Sequence, residues 1–343
     1  METNRFAADY GQLPAAYFSL GRITNPAELL RGEALYRALR LCGIAEEENG
    51  ERASDWELFC SACRATSMLV GHPMRENILR LLKACLPTEE KFDVSDCERL
   101  WRDAVAFLST HAYAPADFLP REKTAWLSDT LELPSCLPPT VKPALLANLL
   151  LRDTDGELSA WRQRIRDTVA RYARAGGDLA VLRLTRDFSF ASPDPYHVGI
   201  ALRSKRRSSS DEHMLTAQLL RELCEICAKT GMRLLVEADC DASLLSLLDY
   251  TERSVGLPST CIAASDAALR DRLIERMGEA GHNTDLRLAV RLSDAPCAEE
   301  RQLEWKKLLA RYPAGRLCVI SAADLRVIAD VQAEIVNELG LLF

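Results

Sequence analysis

The segment GMRLLVEADCDASLLSLLDYTERSVGLPSTCIAASD, residues 231–266, decides the fold. Two short β-prone runs, Arg233–Glu237 and Thr260–Ala263, flank a helical run over Ala242–Thr251. A strand that returns to a strand through a helix pairs in parallel with a right-handed crossover, because a tight hairpin has no room for the helix. Gly231 stands between the preceding helical run and the first of these strands, where a left-handed C-terminal cap belongs.

The same unit recurs on both sides. Strand-like runs at Thr124–Leu127, Leu179–Leu184, Val198–Leu202, Leu286–Leu292 and Leu317–Ile320 alternate with helical runs at Leu158–Ala175, Asp211–Thr230, Asp266–Ala280, Glu299–Tyr312 and Ala322–Leu339. Gly176-Gly177 and Gly281 punctuate further helix-to-strand joints. Seven or eight such strands in 343 residues are more than most open sheets of this length supply. The expected fold class is therefore α/β, a (β/α)8 TIM-like barrel with some distortion, and an open doubly wound sheet is the alternative.

From Asn25 to about His111 the pattern is helical instead. Pro26 suits a first turn, Ser54 and Glu57 have the capping-box spacing, Pro73 opens a third helix, and a fourth runs over Ser95–Leu108. The expected organisation is an N-terminal segment with the first barrel strand (1–24), a helical insertion (25–115) and the rest of the barrel (116–343).

Composition bounds the function. A hydrophobic fraction of 48% with 27% charged residues suits a globular chain. A net charge of -7 gives no general attraction to nucleic acid or an anionic membrane. Lys205-Arg206-Arg207 is a local exception that reads as a solvated loop tip. Met1–Tyr10 has no apolar run of the signal-peptide kind, and no apolar run approaches the ~20 residues of a membrane span, so a cytoplasmic protein is expected. Twelve cysteines in a chain this long read as free thiols; Cys42, Cys85, Cys261 and Cys318 sit among apolar neighbours.

Local metal chemistry has little support. The five histidines (His72, His111, His197, His213, His282) include no H-x-H or H-x-x-x-H pair. Cys60/Cys63 and Cys224/Cys227 are C-x-x-C pairs, but both lie within helical patterns, where i, i+3 thiols pack as readily as they chelate. Phosphate-loop, dinucleotide and G-x-S-x-G signatures are absent. The strand ends carry more promise, since barrel sites form at the C-terminal face. They present Arg183 and Arg186, Glu237 with Asp239, Ser265 with Asp266, Ser293 with Asp294, and Ser321. Glu237 and Asp239 share one side of a strand, so they could share a proton, hold a cation or cap the next helix. Asp266 and Asp294 read equally well as N-caps.

The segments Arg37–Ile44, Val70–Pro73 and Pro139–Pro143 with Asn148, in that order and spacing, resemble motifs of the uronate isomerase (glucuronate isomerase) family of metal-dependent, amidohydrolase-like barrels. Arg37-Ala38-Leu39-Arg40-Leu41-Cys42-Gly43-Ile44 is similar to the family's R-A-M-R-x-x-G-V. Val70-Gly71-His72-Pro73, preceded by Trp56 to Phe59, is similar to its I-G-N-P, and Pro139–Pro143 with Asn148 to its P-S-W-R-P on an early strand. The family also carries a helical insertion after its first strand. The departures fall on the metal site. Aligned on Pro14, the family's H-x-H pair falls on Ser19 and Gly21, its later histidine on Glu237, its paired aspartates near Leu131-Glu132, and its final-strand aspartate near Ser321-Ala322, with Asp324 one register away.

The resemblance implies two functional readings. The first is a divergent relative, not a metal-dependent catalyst, that binds a sugar acid or other small carboxylate, with Lys142, Arg183 and Asp239 at the ligand. It needs no cofactor, because the family's divalent-metal ligands, zinc being one such metal, are expected to be lost. The second is an active aldose–ketose isomerase interconverting glucuronate and fructuronate, with Glu237 as the base. A homo-oligomer is compatible with both.

Overall fold

The computed structural model describes residues 10–45, 52–70, 72–86, 94–121, 123–152, 154, 156–238, 242–264, 266–279, 286–291, 298–312, 316–320 and 322–324. Its strands are β1 (Tyr10–Gln12), β2 (Thr124–Leu127), β3 (Val141–Leu146), β4 (Leu179–Leu184), β5 (Arg233–Ala238), β6 (Thr260–Ala264), β7 (Leu286–Arg291), β8 (Leu317–Ile320) and β9 (Ala322–Asp324). All pair in parallel, in the order β8-β7-β6-β5-β4-β3-β2-β1-β9.

The two ends of that order are neighbours in the chain. Ile320, the last residue of β8, pairs with Arg291 of β7, and Ala322, the first of β9, pairs with Tyr10 of β1. Residues two apart lie within about 7 Å, so one late segment joins both edges and the sheet closes as a (β/α)8 TIM-like barrel. Its interior is packed by every second strand residue, including Leu127, Ala144, Val181, Leu235, Cys261 and Cys318.

Between β1 and β2 come helices α1 (Ala27–Leu30), α2 (Glu33–Leu41), α3 (Asp55–Met68), α4 (Pro73–Ala84) and α5 (Cys97–His111). The Ser54–Glu57 capping box forms, and Pro73 occupies the first turn of α4 behind a His72 cap. These helices bury a core of their own, with Leu39, Leu58, Ile78, Leu100 and Leu108 at its centre. Trp126 of β2 points out of the barrel into that core, its indole donating to the Leu13 carbonyl at 2.7 Å.

The later helices are α6 (Leu158–Arg174), α7 (Pro195–Arg203), α8 (Ser209–Thr230), α9 (Ala242–Val255), α10 (Ala267–Gly278) and α11 (Ala298–Arg311). They cover the outward faces of β4–β8 in a second core. No described helix is long and apolar enough to cross a membrane.

Three sequence expectations change. Val198–Leu202 is not a strand but part of α7: Asp194 caps the helix by accepting from the His197 amide, Pro195 takes the first position, and Val198, Ala201 and Leu202 face inward at helical spacing. Ala322 opens β9 and not a helix, and the remainder of the Ala322–Leu339 expectation lies outside the described residues. The first strand is Tyr10–Gln12, ahead of Pro14, whereas Ala15–Ser19 is a 3-10 turn. The three-residue strand is too short to show periodicity.

Gly177 joins α6 to β4. A Cβ there would press on the Pro143 carbonyl oxygen and stand 2.9 Å from the Tyr172 carbonyl oxygen, both immobile backbone atoms. Gly177→Ala is expected to destabilise the protein by about 1–3 kcal/mol through overpacking. Gly278→Ala, which meets nothing within 4 Å, serves as the neutral control. Urea unfolding midpoints compare the two.

Candidate functional site

Alternation along the strands that places Val181, Leu235 and Ala289 inside the barrel also turns Arg183, Glu237 and Arg291 inward, one step nearer the C-terminal face. Arg183 and Glu237 are register partners on β4 and β5. Arg183 Nε donates to Glu237 Oε2 at 2.8 Å, and its Nη2 to the Tyr10 hydroxyl at 3.1 Å. Arg291 Nη2 and the Tyr10 hydroxyl both donate to Glu237 Oε1. Tyr10 is fully buried, and Glu237 retains 14% side-chain exposure.

The electrostatics follow from this wiring. Burial alone would raise the Glu237 pKa, but the Arg291 and Arg183 charges and the hydrogen bonds from Tyr10 and Arg183 outweigh it, so the carboxyl is held below its ordinary range. Burial first, and then the adjacent Glu237 charge, push the Tyr10 hydroxyl up to about 12. The cluster thus holds two guanidinium charges, one carboxylate and a neutral phenol. Both carboxylate oxygens are occupied.

Asn148, in the turn after β3, fixes the arginine from behind. Its side-chain oxygen accepts from the Arg183 amide and its nitrogen donates to the Arg183 carbonyl, both at 2.8 Å. The side chain serves as a neighbouring strand would. Arg183 Nη1 has no hydrogen-bond partner among the described residues.

Arg183 lines a cavity of about 180 Å³ between the barrel mouth and the helices of the insertion. Gln12 from the end of β1, Ser128 and Asp129 after β2, and Arg37 of α2 also border it. The side chains of Gln12 and Arg37 likewise find no described partner. Asp129 accepts from the Ala15 amide at 2.9 Å, and Ser128 accepts from the Thr130 amide at 3.2 Å.

Of the residues expected from sequence, Arg183 and Glu237 meet. Lys142 does not join them: it lies near the N-terminal end of β3 and pairs with Asp178 at 3.4 Å, beside Arg233 at 3.2 Å from the same carboxylate. That is the opposite end of the barrel from the cavity. Asp239, Ser265, Ser293, Asp294 and Ser321 lie outside the described residues. Asp266 is the N-cap of α10, accepting from the Leu269 amide, and Arg186 is exposed. Ser19 and Gly21 sit beyond the first strand, whose inward positions are Tyr10 and Gln12.

Sequence reasoning missed Tyr10, Gln12, Arg37 and Arg291 as site residues. Arg291 was findable, because it closes a run of alternating inward residues in β7 as Arg183 does in β4. Arg37 lay within a quoted motif without an assigned role.

The other reactive side chains have structural employment. His72 caps α4, His197 pairs with Asp194, and His213 accepts from the Ser189 amide. His282 lies outside the described residues. Burial raises the Cys60 thiol to about 11 and the Cys227 thiol to about 12, and also raises Cys63 and Cys224. Among the described residues no three His, Cys, Asp or Glu side chains group as a metal site.

No protein-family model matches the sequence, and no curated protein matches it. The structure is similar to the uronate isomerase of Thermotoga maritima, with a TM-score of 0.71 at 11% identity over 98% of this chain and 88% of that one. It is also similar to the glucuronate isomerase of Caulobacter crescentus, with a TM-score of 0.55 at 12% identity over 98% and 78%. At such identities the shared property is the fold.

Glu237→Gln leaves two interior guanidinium groups without their counter-charge and is expected to cost about 3 kcal/mol or more. Because the folded pKa is lowered, Glu237 stabilises fully above the ordinary carboxylate range and loses that contribution as pH falls through its folded value. The gap between wild type and variant in denaturant midpoint should therefore narrow below about pH 4. Tyr10 works in the other direction. Its raised pKa contributes stability that is complete below about pH 10 and lost as pH rises toward 12, and Tyr10→Phe should flatten alkaline unfolding in that window.

Proposed function

We propose that the protein is a uronate isomerase-like barrel whose mouth binds a small carboxylate and does not run metal-dependent isomerisation. The observation that carries this reading is the Arg183 guanidinium. Glu237 and Tyr10 hold it through Nε and Nη2, Asn148 fixes the residue's backbone, and Arg183 lines a cavity bordered by Gln12 and Arg37. A preorganised guanidinium binds a carboxylate at little entropic cost, and the partly enclosed site strengthens each charge-assisted bond.

A divalent metal does not fit the described donor set. The inward positions at the end of the first strand carry Tyr10 and Gln12, and the carboxylate bonded to Tyr10, Glu237, is already neutralised by two guanidinium groups that would repel a cation. Nor does Glu237 suit the role of general base. A base needs an accessible lone pair and a pKa near the working pH, and here both oxygens are bonded and the pKa is lowered. The wider likeness to uronate isomerases supports a small organic acid, a sugar acid or another carboxylate, as the ligand class.

Millimolar carboxylates should raise the melting temperature by about 2–4 °C near 100-fold saturation. Arg37→Ala should weaken that shift, whereas Lys142→Ala should leave it intact. Metal analysis and an assay of glucuronate-to-fructuronate conversion run alongside. Stoichiometric divalent metal with turnover, or no shift with any carboxylate, overturns the proposal.

A further inference from the structure

The cavity at the barrel mouth has two unlike halves. Its polar lining is Arg183, Gln12, Ser128 and the exposed Asp129 from the barrel mouth, with the exposed Arg37 from α2. Across from them the insertion helices contribute Leu30, Leu35, Met74, Ile78 and Leu81, of which Leu30, Leu35, Ile78 and Leu81 are each 6% exposed or less. Leu127 and Leu146 continue the apolar lining on the barrel side.

This division suits a particular ligand chemistry. A hexuronate presents hydroxyls along its whole length, and each one turned to the leucine wall would lose water without gaining a partner. An acid with a hydrocarbon body sets its carboxylate on the arginine and its carbons on the wall, gaining at both ends. The size agrees, since an apolar cavity of about 150 Å³ takes a benzene ring and this one measures about 180 Å³.

We infer that the site selects a monocarboxylate with an apolar body of about six carbons over a polyhydroxylated sugar acid. The inference rests on the anion-site reading above and narrows it. Arg183 fixes the head group, and the α1, α2 and α4 side chains measure the tail. The helical insertion thereby sets specificity for the tail, while Arg183 of the barrel and Arg37 of α2 supply the charge.

The test is a calorimetric titration of the unmodified protein with acetate, butyrate, hexanoate, benzoate, glucuronate and hexanamide. Met74 and Ile78 methyl resonances are followed in parallel. The expected result is tightening by roughly fourfold per methylene from acetate to hexanoate. Glucuronate should bind at least tenfold more weakly than hexanoate, hexanamide should be weaker still, and both methyl signals should shift. Glucuronate binding as tightly as hexanoate, or affinity independent of chain length, overturns this inference and leaves the anion site standing. Binding without movement of the Met74 and Ile78 methyls also overturns it. If no carboxylate binds at all, the anion-site reading itself falls.

Discussion

Parallel strands closed into a ring turn every second side chain into a space that water does not fill, so a charge placed there must find its partner inside the ring. In this barrel one carboxylate, Glu237, meets that condition for two arginines at once, with the Tyr10 hydroxyl completing its bonds. Four strands, β1, β4, β5 and β7, are thereby tied through a single acidic side chain. The orientation of Arg183, the cluster's net positive charge and the lack of a free oxygen on Glu237 follow from this arrangement.

The alternation of strands and helices was legible from residue 179 onward because most of its strands are long, apolar and bounded by caps. Arg233–Glu237, Thr260–Ala263 and Leu317–Ile320 fall within a residue of where they form. Legibility failed where an element is short or where another signal competes. Tyr10–Gln12 carries no pattern of its own; its position comes from its pairing with β2 and β9. Val198–Leu202 is apolar enough for a strand, yet Asp194-Pro195 is a helix start that outweighs it.

The site was legible in a similar, uneven way. Glu237 and Arg183 stand out because charged residues at strand ends conflict with an apolar interior, and such conflicts point to function or to a paired cluster. Lys142 came instead from the resemblance, and strand register shows that it belongs to the other rim, with Asp178. Arg37 and the leucine wall were unreadable as site residues, since an ordinary amphipathic helix contains the same side chains. Their role arises from where the insertion packs.

The seam between Ile320 and Ala322 also has a consequence for the order of synthesis. The strand β1 finds β2 only after more than a hundred residues and its other neighbour, β9, only after about two hundred more have emerged. Until then one of its edges stays open, and the ring of charges around Glu237 is itself complete only once β7 has supplied Arg291. The helical insertion has its own core of local contacts and can form meanwhile, but the barrel cannot become a cooperative whole before the end of the chain arrives. A ribosome paused before β9 has emerged would hold a barrel with an unsealed edge, dependent on whatever shields it until the closing segment arrives.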